Sequence, residues 1–209
     1  VSWTDFFQGV LMLLALLALP MVALSIIGGW DVAASRINEI NPSLLDFGHE
    51  FSWLGFISLM AWGLGYFGQP HILSRFMAIE SAEHINKSRN IAMSWMVLSL
   101  IGALSVGLIG AIYFADAPLA NSETVFLYLT KAIFNPWVAG ILIAAILSAI
   151  MSTIDSQLLV SSSVVVEDFY KRFINPSASE KQLVWTGRFA VLVIAAIAIA
   201  IAWDPQSSV

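Results

Sequence analysis

The chain has 209 residues, 59% of them hydrophobic and 11% charged, with a net charge of −5. Soluble domains carry about 25% charged residues, so this balance, with a mean hydropathy of +0.84, excludes an ordinary soluble domain and indicates an integral membrane protein. The absence of cysteine excludes a disulfide scaffold and a thiolate metal site, and no nucleic-acid partner is expected.

The start lacks a basic stretch and a small-residue cleavage site, so no signal peptide is expected. The chain reads as an internal piece of a longer protein, one transmembrane domain fragment over 1–209. Gaps between charges give five membrane spans at about 6–30, 51–70, 90–115, 136–160 and 183–203. Each approaches or exceeds the roughly 20 apolar residues that cross a bilayer. Their apolar residues come in long blocks, not in period-two alternation, which predicts an all-α membrane protein and disfavours a β-barrel. Asp5 precedes the first span, at a helix N-terminus that favours a negative charge.

The second span is expected to break. Residues 59–71 read Leu-Met-Ala-Trp-Gly-Leu-Gly-Tyr-Phe-Gly-Gln-Pro-His. Glycine weakens a helix by about 1 kcal/mol and proline by about 3. Backbone freed at membrane depth persists where it lines a cavity or is buried in protein, and in transporters it holds ions and substrate groups. Gly63, Gly65 and Pro70 are therefore candidate substrate-site positions. Trp62 and Tyr66, four apart, share a face and could wall a site for a small, partly apolar solute. The alternative is that the glycines allow tight helix packing.

Between the spans, 31–50 reads as a loop. Asn121 or Ser122 can cap a short helix over about 122–134, with Glu123 in its first turn and Val125, Phe126, Leu129 and Ile133 as an apolar stripe. This helix is expected on or dipping into the outer face. Asn135-Pro136 then opens the fourth span. That span carries Ala149, Ser152, Thr153 and Ser156 at i, i+3, i+4 and i+7, hence on one face. Small oxygen ligands at membrane depth default to an ion or substrate path, and this face suits a small, hard cation such as sodium. The same hydroxyls also suit ordinary bonds to the carbonyl four residues back. Asp155 lies two residues past Thr153 and so points about 200° away from it, toward a cytoplasmic exit or a polar partner on a neighbouring helix. A cytoplasmic helix over about 164–173 continues the fourth span until Asn175-Pro176. Arg188, near the start of the fifth span, can snorkel.

Seven of the nine basic residues lie in two alternate connections, Arg75, Lys87 and Arg89 in one and Lys171, Arg172, Lys181 and Arg188 in the other. By the positive-inside rule the N-terminus is expected to be cytoplasmic and the C-terminal end outside, in a cell's inner (cytoplasmic) membrane. Trp3, Trp30, Trp53, Trp185 and Trp203 fall near span ends, as interfacial belts do. His49, His71 and His84 are scattered and form no metal constellation. No paired acid and base or nucleophile with its base appears, so no enzyme is expected.

The run Trp-Gly-Leu-Gly-Tyr-Phe-Gly-Gln-Pro-His (62–71) with Arg75-Phe76-Met77 closely resembles the sodium/solute symporter family. The likeness continues through Phe134-Asn135-Pro136-Trp137, Met151-Ser152-Thr153, Ser156-Gln157-Leu158-Leu159-Val160, Glu167-Asp168, Leu183-Val184-Trp185 and Gly187-Arg188. It covers essentially the whole chain. The resemblance implies a LeuT-type fold of two inverted five-helix repeats with a mid-membrane site. This fragment would supply the last helix of the first repeat and the first four of the second. The first core helix, with the rest of the same transporter, lies elsewhere and holds the other half of both sites.

The resemblance further implies sodium-coupled uptake of L-proline by alternating access, with sodium as coupling ion and no cofactor. It places sodium on the Ala149 carbonyl and the Ser152 and Thr153 hydroxyls, puts Asp5 on the cytoplasmic sodium path, and matches Trp62, Tyr66 and Pro70 to proline-binding positions. A sodium symporter for pantothenate, a sugar or a carboxylate, and the symporter-like membrane domain of a sensor, remain alternatives.

Overall fold

The computed structural model describes residues 2–46 and 52–203, without the side chains of Ser2, Trp62, Tyr66 and Phe67. Phe51, where the second span was expected to begin, and His49 lie outside the described residues. Every described element is helical. The chain divides into two compact units, Ser2–Ile150 and the segment from Met151 onward.

In the first unit, α1 (Ser2–Ile27) ends at Gly28 and Gly29, whose φ of 110° and 95° suit glycine. The Gly29 N–H donates to the Leu24 carbonyl at 2.9 Å, closing the last turn. A second helix, α2 (Trp30–Ile40), then occupies what was expected to be loop. Asp31, Arg36 and Glu39 hide it from a hydropathy scan, but Ala33 and Ile37, one turn apart, are buried and pack with Ile112.

The expected second span is the one that fails as a continuous crossing. It is split into α3 (Trp53–Leu64), a 3-10 turn over Gly65–Gly68, and α4 (Pro70–Met77). Among the described residues, four continuous helical stretches, not five, are long and apolar enough to cross a membrane: Trp3–Ile27, His84–Tyr113, Pro136–Ile174 and Glu180–Ala202.

The core of this unit lies between α1 and α5 (His84–Tyr113). The latter starts six residues before the expected 90, because its first turns carry Lys87 and Arg89 and so project beyond the apolar block. Leu19 and Ala23 of α1 meet Val106 and Ile109 of α5 and Leu129 of α6 (Val125–Ile133). Pro20 sits inside α1 and removes the N–H that would bond the Leu16 carbonyl. That carbonyl faces α5 at Gly102, where a Cβ would come within 2.9 Å of its oxygen. A glycine is required there by close approach, as small residues are at membrane helix interfaces. At Gly110 an added Cβ would collide with Val125.

The short helix expected over about 122–134 packs into the core of this unit, with Leu129 and Thr130 wholly buried. Its cap is Asn121, whose Oδ1 accepts from the Glu123 N–H at 2.9 Å. Next comes α7 (Pro136–Ser163), where Asn135 Oδ1 accepts from the Trp137 and Val138 N–H groups, each at 3.1 Å. Leu142 and Ala145 of its first half pack on Ala15 of α1.

In the second unit, α7 runs into a π-helical segment, Val164–Ile174. The Asn175 N–H closes it with a bond to the Tyr170 carbonyl at 2.9 Å, five residues back. After the turn, α8 (Glu180–Ala202) begins with a capping box: Ser179 Oγ accepts from the Gln182 N–H, and Gln182 Oε1 from the Ser179 N–H. Only 6% of its apolar window is buried within the chain.

Candidate ion and substrate site

The polar face of the fourth span is helical throughout. Ala149 and Ser152 are half-buried, and Thr153 and Asp155 are exposed. Ser156 is buried at 7% exposure, and its hydroxyl donates to the Ser152 carbonyl at 2.8 Å. That bond is the ordinary helix back-bond, so the Ser156 donor is spent on its own helix. Neither Ala149 nor Thr153 is without a partner. Among the described residues no three His, Cys, Asp or Glu side chains group as metal ligands, so a cation on this face would rest on hydroxyls and carbonyls.

The broken helix presents its backbone differently. Gln69 is extended (φ −98°, ψ 101°) between the turn and α4, and its carbonyl accepts from the Ile72 and Leu73 N–H groups at 3.1 Å each. Gly63, Gly65, Gly68 and Pro70 are exposed. A Cβ added at any of the three glycines would meet nothing within 4 Å. The close-packing explanation for these glycines therefore has no neighbour among the described residues. The side chains of Trp62 and Tyr66 lie outside what is described.

Asp5 stands in the first turn of α1 and is 17% exposed. Arg75, in the last turn of α4, donates from Nη2 to Asp5 Oδ2 at 3.4 Å. This is long for a charge-assisted hydrogen bond, which spans about 2.7–2.9 Å, so the contact is a loose ion pair. Among the described residues the other oxygen, Oδ1, is buried without a hydrogen-bond partner, as is Oε1 of Gln8 one turn on. The N-terminal turns of α1 thus carry two unanswered oxygen acceptors, a disposition that favours a cation or water. Sequence reasoning assigned Arg75 to topology alone and passed over Gln8. The signal available for Gln8 was its i+3 spacing from Asp5. For Arg75 there was none, since 70 residues separate the pair.

The helices and their apolar windows define a multi-pass membrane protein. The chain matches the sodium:solute symporter family over residues 1–209 and belongs to it. Membership in this transporter family, not an enzyme family, implies a fragment of a LeuT-type transporter. The chain is 47% identical over 215 residues to the sodium/proline symporter of Escherichia coli, covering all of this chain and 43% of that protein. It is 50% identical over 219 residues to the sodium/proline symporter of Haemophilus influenzae, again with all of this chain and 44% of the relative. With the high-affinity proline transporter PutP of Bacillus subtilis, identity is 47% over 211 residues, 100% of this chain and 45% of the other. The chain spans less than half the length of the curated relatives it matches.

Proposed function

We propose that the protein to which this chain belongs couples inward sodium movement to uptake of L-proline by alternating access across the cytoplasmic membrane. The observation that carries this reading is identity of 47–50% to proline transporters along the whole chain.

Sodium rests on the Ala149 carbonyl and the Ser152 and Thr153 hydroxyls, and a first core helix outside this chain supplies the opposing ligands. Asp5, with its unanswered Oδ1, lies on the cytoplasmic sodium path, and Asp155 lies further along it. Trp62, Tyr66 and Pro70, with the freed backbone at Gly63 and Gly65, form the proline seat. There the ring stacks on the indole while the carboxylate and ammonium take backbone partners. Helix interruption is the device by which transporters offer such partners at mid-membrane.

The broken segment provides a fifth crossing. Helices α3 and α4 hold 12 and 8 residues, about 30 Å of helix at 1.5 Å per residue, which matches a hydrocarbon core of about 30 Å. With five crossings the two basic connections fall on one side, and the N-terminus is cytoplasmic with the C-terminal end outside.

Radiolabelled proline uptake by the full-length transporter, with and without a sodium gradient, tests the reading. Uptake that ignores sodium, or uptake of another solute in place of proline, would overturn it. Thr153→Ala removes one ligand of a charged ion, worth about 1.5–3 kcal/mol. The sodium concentration for half-maximal uptake is expected to rise about tenfold or more, and an unchanged value would remove Thr153 from the site.

A further inference from the structure

The second unit contains a feature that sodium and proline leave unused. Arg188 lies eight residues beyond the first residue of α8, about 12 Å along the axis, inside the apolar window of that helix. Beside it is a groove of about 370 Å³ between the end of α7, the π-helical segment and α8. Leu159, Val166, Leu183 and Val191 give it a hydrocarbon floor, and the charged residues lining it are Glu167 and Arg188.

Glu167 accepts from Lys171 Nζ at 2.9 Å, so its charge is answered within the π-helical segment. The Arg188 guanidinium sits 5.1 Å from the centre of the Trp185 ring. Among the described residues no carboxylate pairs with it. A guanidinium on an apolar helix, reaching toward its end, favours an anionic partner, and its fork geometry matches phosphate oxygens. Trp185 is 59% exposed and Val184 54%, so the groove borders apolar helix surface and not water alone. Basic pockets between membrane helices take phospholipid headgroups for these reasons.

We propose that the groove seats one anionic phospholipid from the leaflet facing the 171–188 connection. Its phosphate rests on the Arg188 guanidinium, and one acyl chain runs along Leu159, Val166, Leu183 and Val191. Trp185 holds the guanidinium at headgroup level, and Lys171 keeps Glu167 from repelling the phosphate.

The test is native mass spectrometry of the full-length transporter, titrated with phosphatidylglycerol or phosphatidylcholine in detergent. The wild type retains one phosphatidylglycerol that phosphatidylcholine does not replace. Arg188→Gln weakens retention about tenfold, the loss of one charge-assisted contact, while Arg188→Lys, which keeps the charge and loses the fork, weakens it less. Leu183→Trp fills the groove with every charge intact and also loses the lipid. Gel filtration checks that each variant is folded. If Arg188→Gln is not, the contrast between Arg188→Lys and Leu183→Trp decides. Unchanged retention in Arg188→Gln or Leu183→Trp, or equal retention of phosphatidylcholine, overturns the proposal. So does displacement by millimolar inorganic phosphate, which would make this a free-anion site. A wild type that retains no lipid also overturns it, leaving the groove to another part of the transporter.

Discussion

A Cβ built at Gly102 of α5 would lie 2.9 Å from the Leu16 carbonyl oxygen of α1, whereas one built at Gly63, Gly65 or Gly68 would find nothing within 4 Å. The residue type is the same and the physical demand is opposite. In α5 the missing side chain lets two helices touch, and the helix stays unbroken for 30 residues. Between α3 and α4 no neighbour among the described residues asks for it, and the helix stops after 12 residues. Glycine count alone cannot tell these uses apart. What separates them is clustering, with Gln69-Pro70 immediately following, against isolated glycines in a continuous apolar block.

The contrast can be broken experimentally, and Gly102 is where the effect should be largest. Gly102→Val pushes a branched side chain onto backbone that cannot rotate away, and overpacking of this kind costs about 1–3 kcal/mol. Thermal unfolding of the full-length protein in detergent should show the loss. A variant as stable as the wild type would mean that α1 and α5 are less tightly apposed. Gly110→Ala should cost less, about 1 kcal/mol at the low end of that range, because the obstacle is the Val125 side chain and not backbone. Adding Val125→Ala should restore most of it.

In the broken segment the sign reverses. Gly65→Ala meets no atom and improves helix propensity, so stability should stay level or rise by up to about 1 kcal/mol. Proline uptake per folded molecule should fall as the interruption is repaired. A destabilised Gly65→Ala with uptake intact would show that these glycines serve packing after all.

Much of the architecture was legible before any tertiary contact was known. Continuous helices cover four of the five expected stretches, with ends shifted by up to six residues, and the fourth of the five runs on into a π-helical segment, Val164–Ile174. The Asn121 cap, the Asn135-Pro136 start and the Asn175 stop sit where short polar side chains and proline require them. The discrepancies share a cause. Helix α2 was taken for loop because its charges lower its hydropathy, although Ala33 and Ile37 were there to be read at i, i+4. The start of α5 was placed six residues late for the same reason. Span counting by charge gaps also gave as one stretch residues that the structure divides into helices of 12 and 8 residues, the break that the glycines and Pro70 led one to expect.

By itself, then, the sequence determined that this chain lives in a membrane, that it is helical, where the second span fails, and which hydroxyls share a face on the fourth. These follow from composition, 3.6-residue periodicity and local backbone preference, all properties of neighbours along the chain. The tertiary structure alone decided that Asp5 meets Arg75, that Thr130 is sealed in the core, that Gly102 is required by the Leu16 carbonyl, and that Arg188 borders an apolar groove with no carboxylate paired to it among the described residues. Each of these depends on groups brought together from distant parts of the chain, and no local pattern encodes which of many exposed charges or glycines will find such a neighbour.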